Sequence, residues 1–211
     1  MEIVEWRGVE GLVYAEVTKD DSTEYTTGEV KELAGVAEIS RNTESSSEAH
    51  NYDNIPAVVI TSVGADEVTC SVSAIPLEVL AEITGQTYDE TTGAMIEGER
   101  ETKYFALGYR TKKTNGDEVL VWRYKGTFGI PEVTHASEND GTDANGQEIT
   151  YTGISTSHKF SKNGKRAKAL NVDTGKDLAD VSTFFDKVTT PDMLQAKSAV
   201  VGAAKVGKAL I

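Results

Sequence analysis

The chain has 211 residues, 38% of them hydrophobic, with 34 acids against 21 bases and a net charge of −13. That length can bury one sizeable core, and the charge excludes a monomer that holds nucleic acid or an anionic membrane through its overall field. A single cysteine, Cys70, excludes an internal disulfide, and no apolar run is long enough for a membrane-spanning helix.

In chain order, residues 11–18 alternate as a strand does: Val13, Ala15 and Val17 on one side, Leu12, Tyr14, Glu16 and Thr18 on the other. Glu2 and Glu5 interrupt any apolar run before it, so no signal peptide is expected. Lys19–Ser22 is a turn cluster, and a second strand returns through Tyr25 and Thr27. Val36–Arg41 predicts another strand. Residues 42–57 are polar, serine-rich and nearly without core residues. They predict a long connection, either a surface loop or an arm that orders on meeting a partner. Val58–Ile60 resumes a strand. From Glu67 to Ala74 the chain alternates again, with Val68, Cys70, Val72 and Ala74 opposite Glu67, Thr69, Ser71 and Ser73. Pro76 ends that pattern and suits a first helical position. Leu77, Leu80, Ala81 and Thr84 recur at helical spacing, and Gly85 suits the helix end.

After a polar connection, Lys103–Arg110 is apolar on both faces. Asn115-Gly116 predicts a type I′ hairpin turn. Glu118–Phe128 returns with Leu120, Trp122 and Tyr124 on one face, and Val119, Val121, Arg123 and Lys125 on the other. Residues 135–147 form a polar insertion. Ile149–Phe160 and Lys168–Val172 predict a last pair of strands joined across Asn163-Gly164. From Gly175 the spacing turns helical through Leu178, Val181 and Phe185, and Pro191 opens an alanine-rich segment to Ile211. The pattern predicts a mainly β fold, a sandwich or barrel of about eight strands, with one short flanking helix and a helical C-terminal segment. Residues 1–190 form the β domain and 191–211 an extension.

No catalytic, cofactor or metal site emerges. With Gly146 as the EF-hand glycine, the first and last ligand positions fall on Gly141 and Thr152, which lack carboxylates. His50, His135 and His158 are scattered, and Cys70 sits on the apolar side of its strand, where it reads as core. One charge feature stands out: Lys159, Lys162, Lys165, Arg166 and Lys168 cluster around the Asn163-Gly164 hairpin. They read first as a solvated hairpin; the alternatives are a contact with an acidic patch on another copy or with DNA. Of those two the copy is favoured because the rest of the chain supplies so much negative charge.

Several runs, in order, resemble one family. They are Leu33-Ala34-Gly35-Val36, the polar segment with Asn51-Tyr52-Asp53-Asn54, and Ile75-Pro76-Leu77-Glu78-Val79. Then come Phe105-Ala106-Leu107-Gly108-Tyr109, Val121 to Phe128, Pro131, and Phe184-Phe185-Asp186-Lys187-Val188. The family is the major tail protein, or tail-tube protein, of phages with long non-contractile tails. The resemblance implies a tail-tube β-sandwich with a flanking helix, assembling as hexameric rings that stack into a conduit for DNA. It implies a non-enzymatic virion protein, assembled in the host cytoplasm. Its partners would be its own copies, the tape measure, the tail terminator and the distal tail protein, with DNA passing through without tight binding. On that reading Asn51, Tyr52, Asp53 and Asn54 belong to an assembly arm, and Glu67, Thr69, Ser71 and Ser73 face the lumen. An acidic lining would repel the phosphates and speed passage. The other class consistent with the pattern is a β-sandwich adhesion module of a phage or bacterial surface. Its binding aromatics would sit in loops, whereas here they fall mostly in predicted strands.

Overall fold

Strand alternation dominates the chain, and the computed structural model, which describes residues 3–52, 54–135 and 145–197, is correspondingly mainly β. The strands are β1 (Trp6–Asp20), β2 (Tyr25–Thr27), β3 (Lys31–Glu32), β4 (Val36–Tyr52) and β5 (Ile55–Val72), followed by helix α1 (Leu77–Thr84). Then come β6 (Thr87–Asp89), β7 (Ala94–Ile96), β8 (Phe105–Lys113), β9 (Glu118–Phe128), β10 (Glu132–Val133), β11 (Gln147–Ile154) and β12 (Ala169–Asp173). Among the described residues, ten strands form one sheet in the order β2-β1-β8-β9-β11-β5-β4, with β3 on β1, β10 on β11 and β12 on β9. Every pairing is antiparallel. β6 and β7 make a small separate hairpin.

The sheet curls until β4 lies beside β1. The segment between β3 and β4 spans the gap: Leu33 N–H donates to Leu12 O, and Ser73 N–H to Gly35 O. Layering is therefore achieved by curling one sheet on itself. Inside the curl lie Leu12, Tyr14, Val68, Cys70, Phe105 and Tyr151, closed at one end by Leu80 and Ile83 of α1. A second core covers the outer face of β1, β8 and β9, where Ala15, Ala106, Trp122 and Tyr124 meet Phe160, Phe184 and Val188. Trp122 Nε1 donates to Phe184 O at 2.9 Å and Tyr124 Oη to Thr189 O at 3.1 Å, so the C-terminal part is pinned by hydrogen bonds as well as by burial. Two cores on one sheet explain why Lys103–Arg110 is apolar on both faces.

The helix begins one residue later than expected, with Pro76 just before it, and Leu77 points to solvent rather than the core. Gly85 ends it at φ 69°. A Cβ there would collide with the Glu101 backbone, so the position requires glycine twice over.

Four expectations are corrected. The described part of the expected loop at 42–57 is not a loop: residues 42–52 and 55–57 belong to the far halves of β4 and β5, paired from Thr43 to Tyr52. Serine and threonine tolerate a strand when its backbone ladder is satisfied, and their polarity concealed it. The turn at Asn115-Gly116 is not type I′, because only Gly116 has positive φ (92°), while Gly116 N–H donates to Lys113 O at 3.0 Å. That is the three-residue hairpin loop ending in a left-handed residue. β11 and β12 do not pair with each other; they take successive halves of the β9 edge.

The helical reading from Gly175 fails within the described residues, which show a 3₁₀ turn at Thr174–Lys176 and then successive turns. The Asp180 carboxylate accepts from the Ser182 N–H and hydroxyl, a local alternative to helical hydrogen bonding. Pro191–Lys197 returns along the preceding segment, with Asp180 N–H donating to Gln195 O and Lys197 N–H to Leu178 O. Residues 198–211, and with them most of the expected helical extension, lie outside the described residues, as do 136–144 of the insertion.

Candidate functional site

β11 accompanies β5 only as far as Asp66. Beyond that point β4 and β5 leave the sheet and continue as a two-stranded ribbon. Every described side chain from Glu44 to Val63 is exposed. Val58, Val59, Ile60 and Val63 are among them, with Tyr52 and Ile55 each 65% exposed at the tip. Of the expected arm residues, Asn51 and Tyr52 end β4, and Asn54 turns the chain at φ 65°, a left-handed conformation that asparagine tolerates best among non-glycine residues. Asp53 lies outside the described residues.

At the ribbon's base Thr43 pairs with Asp66 but Ser45 with Val63, so β5 carries an extra residue at Gly64–Ala65. Such a bulge shifts the alternation by one. Val59, Thr61 and Val63 are thereby carried onto the face that holds Val68 and Cys70 farther down.

The residues expected to line a lumen stand together. Glu67 is opposite Asn42 and Thr152, Thr69 opposite Ser40 and Thr150, and Ser71 opposite Glu38 and Glu148. Three strands thus present one polar face bearing Glu38, Glu67 and Glu148. Glu67 and Ser73 are exposed, while Thr69 and Ser71 are half-buried.

The basic group divides. Lys159, Lys162, Lys165 and Arg166 are exposed on the connection between β11 and β12; Lys162 Nζ donates to Leu194 O at 3.1 Å and Arg166 Nε to Ser157 O at 3.3 Å. Lys168 turns instead to the ribbon's base, where its Nζ donates to Gly64 O and lies 3.3 Å from Asp66 Oδ1.

Asp66 is the hub of a buried cluster that pattern reading missed. Thr43 Oγ1 donates to its Oδ1 at 3.0 Å and Arg123 Nη1 to its Oδ2 at 2.6 Å, while Arg123 Nη2 lies 3.4 Å from Tyr109 Oη. Burial raises the Asp66 pKa, but the Thr43 hydroxyl, Arg123 and Lys168 outweigh it and hold the carboxyl below its usual range. Arg123 Nε is buried without a hydrogen-bond partner among the described residues. A signal existed: Arg123 shares its strand face with Val119 and Val121, and an arginine at an inward position demands a carboxylate. Asp20 is a second such centre, binding Lys125 Nζ at 2.7 Å and the Ser157 and His158 N–H groups. Cys70 is core, as expected, and burial pushes its thiol pKa up to about 12.

A cavity of about 720 Å³ opens beside the Asp66 cluster, lined among others by Trp6, Val9, Arg41, Val63, Arg123 and Lys168. The start of β1, which forms part of its wall, is irregular. Gly8 and Gly11 have φ of 130° and 66°, and the β1–β8 register slips on either side of Val9.

Compared with family models and with curated proteins, the chain gives no match. The fold itself defines a mainly β protein, a curled antiparallel sheet with a short helix and a protruding two-stranded ribbon. Among the described residues no helix is long and apolar enough to cross a membrane.

Proposed function

We propose that this chain is the structural subunit of a phage tail tube, polymerising as stacked, hexameric rings through which DNA leaves the virion. The observation that carries the reading is the β4–β5 ribbon. A two-stranded hairpin standing alone in water is marginal, and this one exposes valine and isoleucine on both faces and two open backbone edges. A subunit that meets its neighbours through the ribbon covers both. The acidic face around Glu38, Glu67 and Glu148 suits the wall of a duct that must not hold DNA. The subunit works without catalysis, in the virion tail, together with tape-measure, terminator and distal tail proteins.

The test is negative-stain electron microscopy of the purified protein, dilute, then concentrated, then with tail-tip components added. Rings or tubes are expected. Monomers under all three conditions overturn the reading.

A further inference from the structure

The cavity at the ribbon's base and the ribbon itself have opposite character. Between Arg41 and Arg100 the sequence contains no lysine or arginine, so the whole ribbon carries acids, Glu44 and Glu48 among them, and no base but His50. The cavity gathers three cations, Arg41, Arg123 and Lys168, against two acids, Glu38 and Asp66, a local excess of one positive charge on a chain of net charge −13; Arg123 and Lys168 are held by Asp66, which leaves Arg41 as the cation free of that cluster. Its rim is apolar at Trp6, Val9 and Val63, with Trp6 65% exposed. On the face that carries Glu48, the far part of the ribbon offers matching apolar groups in Tyr52, Ile55 and Ile60. The cavity volume falls within the ~300–1,000 Å³ range of ligand pockets.

We infer that this cavity is the socket for the ribbon of a second copy, whose paired strands Ser46–Tyr52 and Ile55–Ser62 lie across its mouth and insert side chains only. Apolar side chains seat against Trp6 and Val9, and Glu48 faces Arg41. The inference rests on the tube reading for its biological setting, but the contact itself does not.

Geometry dictates the symmetry. Thr43 lines the socket and Tyr52 ends the strand, nine residues on in one extended segment, which at ~3.4 Å per residue is about 30 Å. A paired ladder of that length cannot fold back, so a copy cannot fill its own socket. Tip and socket are different surfaces, so the contact is heterologous, of the kind that generates rings or open helical polymers rather than closed two-fold dimers.

The test uses two full-length variants, Glu48→Lys with a disabled tip and Arg41→Glu with a disabled socket. Both positions are solvent-exposed, so neither substitution touches the core and both chains are expected to fold. Each variant alone is expected to lose association at least tenfold in sedimentation velocity, and the double variant Arg41→Glu/Glu48→Lys to regain most of it. Raised salt weakens the wild-type contact. Mixed one to one, the single variants still hold one intact tip and one intact socket between them. The two substituted surfaces also attract each other, because the charges of tip and socket are exchanged, so association recovers in the mixture. Wild-type tubes together with tubes from each single variant overturn the socket and leave the tube reading standing. Recovery in the mixture and in the double variant, without tubes from any protein, upholds the socket and removes the tube. Association equal in all four proteins, or absent from all four, overturns the socket.

Discussion

Arg123 Nη1 lies 2.6 Å from Asp66 Oδ2, and each of the two side chains is only 5% exposed. The pair ties β9 to β5 across the open end of the curl, just where the ribbon departs. Removing one partner strands a buried charge. Asp66→Ala is expected to cost about 3–5 kcal/mol, read as a lower urea midpoint, whereas the apolar pair Asp66→Leu/Arg123→Met costs much less than the two single changes added together. Equal and additive losses would show that the two charges are not coupled.

Acid should expose the same dependence. The Asp66 and Asp20 carboxyls both titrate below their usual range, each because cationic and hydrogen-bonding partners outweigh the effect of burial. A depressed folded pKa contributes stability that is complete above the unfolded value of ~3.9 and is lost as pH falls through the folded value. Urea midpoints are therefore expected to be insensitive to these groups above about pH 5 and to fall below about pH 4. The Asp66→Leu/Arg123→Met protein should show a shallower fall.

Cys70 offers a simple probe of the core. Its thiol is 1% exposed and its pKa is pushed up to about 12, so the native protein holds no thiolate at neutral pH. Alkylation by iodoacetamide should be undetectable in the folded protein over hours and rapid in 8 M urea, an order-of-magnitude contrast that fast native labelling would contradict.

Gly126 is where β9 passes under Tyr151. A Cβ there would meet the Tyr151 ring and Thr152 O, and Tyr151 Oη is already committed to Phe105 O at 2.9 Å. Gly126→Ala should destabilise by roughly 2–4 kcal/mol through overpacking. Gly98→Ala, with open space around its Cβ position, should be nearly neutral in the same thermal scan.

The ribbon should be separable from folding. Joining Ser45 to Val63 through an Asn-Gly turn removes the exposed part and keeps the Thr43–Asp66 contact. That protein should melt within a few degrees of wild type by circular dichroism yet form no rings or tubes. Normal tubes would remove the ribbon from assembly. Lysine at Glu67 and Glu148 should instead leave tubes intact but make them retain DNA at low salt and release it at high salt. No retention would place that face away from the bore.

Local chemistry wrote much of this fold into the sequence. The alternation of Glu67–Ala74, the apolar stripe ending at Gly85, and the two-sided apolar strands at Phe105 and Leu120 each specify an element, because burial imposes period 2 or 3.6 on neighbouring residues. The polar face of β5 was legible for the same reason. Three things were decided only by tertiary structure. Residues 42–57 lack a buried face, so no periodicity marks them, and strand pairing alone makes them a ribbon. The bulge at Gly64–Ala65 decides which face Val59 and Val63 share, and a one-residue offset between two chain segments leaves no mark on either one. Asp66, Arg123 and Lys168 lie far apart in sequence, and curling the sheet brings them to one point. Alternation along a strand is a property of neighbours and can be read from them, whereas register, curl and charge pairing arise between distant segments and exist only once the chain has folded.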